Sequence, residues 1–146
     1  MALYVAICLL AALVVVGDAD LEQDGTLFGL IWGTTIGLVV AHLFAFRLAA
    51  RLVAAGTLRR ADAELAAAQL AGSALVAVLA SVPVVLLEGD AELAVTSAVL
   101  AVFIGLVGYL VARRSGASML RSAAYGSATT VLAIAVVEIK NALAGH

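Results

Sequence analysis

Ionisable side chains are scarce in the apolar stretches of this chain, and His42 is the one imidazole within them. It stands near the end of a run from Thr26 to Phe46, with Thr35 two turns earlier on the same helical face. An ionisable group at membrane depth points to function by default. Imidazole relays protons near neutral pH and also ligates metals. The same residue equally suits a membrane interface, bonded to water or to a backbone carbonyl. No second His, Cys or carboxylate lies at ligand spacing on that helix, so a closed metal site cannot be assembled from it alone, and any metal stays unknown. Glu138, late in the last apolar run, fits either an acceptor in a proton or cation path or an ordinary interfacial carboxylate. The acidic connections around Asp18–Asp24 and Glu88–Glu92 could concentrate cations by their field, or simply stay outside the bilayer.

The most ordered pattern is one of small residues. Gly29, Gly33 and Gly37 repeat every fourth position and Ala41, Ala45 and Ala49 continue the series. Such a ridge lets two helix backbones approach closely, which is how helices associate in lipid. A shorter version, Ser97, Ala101 and Gly105 with Gly108, lies in the fourth apolar run. Two ridges fit a homodimer as readily as a compact monomer.

The elements that carry these residues follow from composition. Apolar residues make up 65% of the chain and charged residues 12%, against about 45–50% and about 25% in soluble domains. That excess must face lipid, because a chain of this size has too much surface to hide it. Spanning segments must satisfy their own backbone groups, and no strand-like alternation is present, so they are helices. Five runs approach the required length of roughly 17–25 residues: 2–17, 26–46, 65–87, 93–112 and 122–139. The first lacks a basic residue ahead of it and has only a mediocre small-residue cleavage site at Gly17-Asp18-Ala19, so it reads as a retained helix rather than a signal peptide.

Charge placement orients the bundle. Arg47, Arg51, Arg59 and Arg60 fall in the second connection, and Arg113, Arg114 and Arg121 in the fourth, while the first and third carry only acids. Arginine-rich connections are cytoplasmic. The amino terminus is therefore expected inside and the carboxyl terminus outside. Lys140 alone falls on the wrong side, within reach of headgroups by snorkelling. Past Phe46 the second helix is expected to continue beyond the membrane, break near Gly56 and give way to the third, with Arg59–Asp62 and Arg60–Glu64 sharing helix faces. Pro83 is expected to free the Leu79 carbonyl and kink the third helix near its outer end.

Several classes drop out. No nucleophile elbow, phosphate loop, HExxH or paired CxxC occurs, so the chain does not read as an enzyme and no cofactor is called for. There is no basic block, so no nucleic-acid partner is indicated. The single thiol, Cys8, cannot close an intrachain disulfide. Seven arginines to one lysine, with abundant Ala, Val and Leu, suggest a bacterial source and hence the plasma (inner) membrane.

From the third run onward the chain resembles the carboxyl-terminal part of the vacuolar iron transporter family. The resembling residues are Ala80-Ser81-Val82-Pro83, Gly105 and Gly108, the stretch Arg113-Arg114-Ser115-Gly116-Ala117-Ser118-Met119-Leu120-Arg121-Ser122, and Gly126. This covers about half the chain and implies five spans, a cytoplasmic amino terminus and a main loop after the second helix. The family lines its cation path with acidic and methionine residues of the first two helices. Here the first run has no Asp or Glu and only Met1, and the second offers His42 instead. The family's Glu-rich cytoplasmic helices are replaced by a short arginine-bearing connection. The resemblance thus implies a topology and assigns no iron ligand.

Two functions fit. One is a small, homodimeric cation or proton transporter with His42, Thr35 and Glu138 as polar lining. The other is a structural or accessory subunit that packs into a membrane complex and moves nothing.

Overall fold

The computed structural model describes residues 1–14, 25–53, 60–87 and 90–144. All secondary structure in them is α-helical: α1 (Ala2–Leu13), α2 (Thr26–Val53), α3 (Arg60–Leu86), α4 (Asp90–Arg114) and α5 (Met119–Ala144). Four helices, α2 to α5, are long and apolar enough to cross a bilayer. The fifth, α1, has 12 residues and rises only about 18 Å, short of the roughly 30 Å hydrocarbon thickness. The acids at 18, 20, 22, 24 and 88, together with Gly56, Arg59, His146 and the part of the first expected span beyond Val14, lie outside the described residues.

Helix ends are set by local chemistry. After Arg114, Gly116 takes φ +85°, a left-handed conformation that glycine adopts without strain. Its N–H donates to the Arg113 carbonyl and that of Ala117 to Ala112, both at 3.1 Å, a Schellman closure of α4. Ser118 then caps α5, its hydroxyl accepting the Arg121 N–H at 3.4 Å. At the second connection α2 runs past Phe46 to Val53, and α3 opens with an exposed Arg60–Glu64 pair at 3.1 Å. The helix α3 continues through Pro83, which is buried in its last turn.

The helices α2, α3, α4 and α5 pack side by side in chain order, and α2 has no substantial contact with α4 or α5. They therefore form an open arc. Its concave side holds α1, which touches all four. A helix with no polar face is driven inside, and α1 carries no charged residue. Val5, Leu9 and Leu13 meet Leu27 and Ile31 of α2, Val76 and Ala80 of α3, Leu100 and Ile104 of α4, and Val137 of α5 in one apolar core. The fourfold spacing within each set is the inward stripe of a helix. Large apolar side chains such as Phe44, Val85, Val102 and Leu132 point outward, as a lipid-facing surface requires.

Glycine is used for close approach between α4 and α5. A Cβ on Gly126 would lie 2.6 Å from the Gly105 carbonyl oxygen, and one on Gly108 would lie 2.6 Å from the Thr129 hydroxyl. The α2 ridge differs. Gly29, Gly33 and Gly37 have no neighbour within 4 Å of a Cβ position, and Ala41 is exposed as well. Among the described residues of one copy nothing packs against those three glycines. Gly126→Leu is accordingly expected to destabilise the bundle by about 1–3 kcal/mol, whereas Gly33→Leu leaves single-copy stability unchanged. Reversible unfolding in mixed micelles at high dilution checks both.

Candidate functional site

Among the described residues, two hydrogen bonds between side chains join α2 to α3. Near the start of α2, the Trp32 indole N–H donates to the Ser81 hydroxyl at 3.1 Å, and that hydroxyl donates in turn to the Ala77 carbonyl at 2.8 Å. Phe28 lies tilted beside Trp32 with ring centroids 6.1 Å apart. Farther along, His42 Nε2 lies 2.6 Å from the Gln69 amide oxygen. As the residue number rises on α2 it falls on α3, so the pair is antiparallel. About 15–18 Å of helix separates the two clasps.

The second clasp is the polar centre of the molecule. An amide oxygen only accepts, so His42 Nε2 carries the proton in this bond. One turn beyond Gln69, the buried Ser73 hydroxyl donates to the Gln69 backbone carbonyl at 2.9 Å. His42, Gln69 and Ser73 share a cavity of about 10 Å³ with Met1, Val39 and Leu43, room for one water at most. On its other side His42 borders an open groove of about 450 Å³, lined by Met1, Tyr4, Leu38 and Ala41.

The position of α1 creates both spaces. Ala2 sits with its Cβ 3.2 Å from where a Cβ on Gly72 would be, so the absence of a side chain at Gly72 lets α1 begin beside the clasp. The buried residues of α2, Leu27, Ile31 and Thr35, all precede His42, and those of α3, Ser73 to Pro83, all follow Gly72. So α1 covers one half of that helix pair, and the opposite half, toward the arginines, stays exposed.

The other expected path residues are placed elsewhere. Thr35 is buried, and its hydroxyl donates back to the Ile31 carbonyl at 2.7 Å. Glu138 is exposed on α5, which has no substantial contact with α2. The structure therefore brings neither to His42. Gly105 and Gly108 lie in the α4–α5 contact, and Gly29, Gly33, Gly37 and Ala41 lie on the open face of α2. Among the described residues no three of His, Cys, Asp and Glu gather as a metal-holding group. Thr96, fully buried on α4, has a hydroxyl with no partner among them.

Compared with protein-family models, curated proteins and solved structures, the chain matches none.

Gln69 is the residue that a search for charge overlooks. Its signal was nevertheless present, because it is the only carboxamide inside the five expected spans. A polar amide at that depth needs a partner. Trp32 and Ser81 were likewise visible only as an aromatic and a small polar residue, and their pairing depends on the register of two helices. Removing that bond by Trp32→Phe, Ser81→Ala or both is expected to give a coupling energy of about 0.6 kcal/mol. A double-mutant cycle of unfolding free energies in mixed micelles measures it.

Proposed function

We propose that the chain is a bacterial inner-membrane protein of five crossings, with its amino terminus in the cytoplasm and its carboxyl terminus outside. It works as a homodimer that moves a proton or small cation past His42. The observation that carries this reading is the His42–Gln69 pair between a water-sized cavity and an open groove. Support for the orientation comes from Arg47, Arg60, Arg113, Arg114 and Arg121, which belong to alternate connections. Support for a crossing by the first segment comes from the central seat of α1 and from the apolar run that continues to Gly17. The same topology is what the resemblance to vacuolar iron transporters implies.

The route lies between copies. Val5, Leu9, Ile31, Leu100 and Ile104 fill the centre of one copy with hydrocarbon, so no polar path continues inward from His42. A second copy would cover the groove along α2, where Gly29, Gly33, Gly37 and Ala41 leave room for a backbone. Ile36, Val40 and Phe44 stand exposed beside that ridge as the bulky side chains to fill it.

The same apolar centre favours a second reading, a non-transporting subunit whose α2 face receives a helix of another membrane protein. Flux in proteoliposomes separates the two. Transport of protons, Fe²⁺, Mn²⁺, Zn²⁺ or Mg²⁺ that His42→Ala abolishes, in a variant that still folds, is the expected outcome. No flux of any of these ions, with a stable heterologous partner recovered after gentle extraction, contradicts transport and favours the subunit.

A further inference from the structure

Resting on the reading of His42 as the polar site, we infer that the species it binds is a proton, and that Gln69 is the positioning residue that decides which ring nitrogen receives it. The Gln69 amide oxygen accepts from Nε2 at 2.6 Å. In the neutral ring this leaves Nδ1 as the unprotonated nitrogen. Its lone pair takes the proton, and the resulting imidazolium keeps the bond to Gln69 and gains a donor at Nδ1. One ring and one proton balance the step, and no other reactant is required.

The surroundings suit a proton and not a metal ion. The groups that face His42 from the packed helices are Met1 and Tyr4 of the first segment and Gln69 and Ser73 of α3. None is a carboxylate. Met1 brings a neutral thioether and the terminal amino group, and neither these nor the amide, hydroxyl and phenol neutralise a divalent charge; a divalent metal bound through imidazole is normally completed by further His, Cys or carboxylate ligands. Among the described residues no such group assembles. On the Gln69 side the 10 Å³ cavity is smaller than any hydrated cation. The groove alone is wide enough to supply water to the ring.

The test is nitrogen NMR of histidine-labelled protein in lipid nanodiscs, with His42→Ala used to assign the His42 ring. Over a series of decreasing pH, Nε2–H as the neutral tautomer and Nδ1 as the nitrogen that gains the proton are the expected result. Gln69→Leu is expected to lose that tautomer preference, and Gln69→Asn to recover part of it. Equimolar Zn²⁺, Mn²⁺ or Fe²⁺ leaves the ring signals in place. Signals that shift or broaden with one of these metals, or that ignore pH across the range, overturn the inference. So does a tautomer preference that survives Gln69→Leu. A ring that titrates as described in a protein that shows no flux supports proton binding and contradicts the transport reading alone.

Discussion

The seat of α1 in the concave side of the four longer helices is the constraint on which the rest of the molecule depends. A short helix without a charged residue, touching every other helix, replaces the lipid that would otherwise enter the arc. It also keeps α2 and α5 apart. The contact that locates it along the bundle is small, Ala2 against the bare backbone of Gly72. From that contact follow the start of α1 beside His42 and Gln69, and the small cavity and open groove that both border the imidazole.

Because α1 is apolar throughout, polar chemistry is displaced from the centre to an edge of the bundle. Most hydroxyls that enter the core are consumed by their own helix. Thr35 bonds Ile31 and Ser73 bonds the Gln69 carbonyl, which satisfies the hydroxyl without building a path. The Ser81 hydroxyl, bonded to Ala77, also accepts from Trp32 across the helix pair, and the His42 imidazole meets Gln69 across the same pair. The groove beside His42 lies on the α1–α2 flank, which is also where the small-residue face of α2 stands open.

Much of the architecture is legible in the sequence because lipid imposes simple rules. The runs at 26–46, 65–87, 93–112 and 122–139 lie within α2, α3, α4 and α5 apart from Leu87, and the helices extend beyond them into the flanking polar residues. The first run is the exception, since the described part of α1 is shorter than a crossing. Side-chain partnerships were less legible. Nothing in the spacing of Gly29, Gly33 and Gly37 tells whether the ridge serves this chain or another, whereas the weaker Gly105–Gly108 signal marks a contact made within it. Thr35 and Glu138 drew notice for their chemistry alone. Their separation from His42 is a matter of helix rotation and of which helices adjoin, and a single sequence encodes both only through packing.

Cross-linking measures the placement of α1 directly. With Cys8→Ala as background, cysteines at Ala2 and Gly72 put their Cβ atoms close to the 3.2 Å separation observed, near the roughly 3.5–4.5 Å of a disulfide. Cysteines at Leu13 and Gly72 are about 16 Å apart along α1. Mild oxidation in native membranes, followed by peptide mass analysis, should link the first pair within one chain and leave the second reduced. A first pair that stays reduced while the second links would place α1 upside down in the bundle, and two unlinked pairs would remove it from the centre altogether.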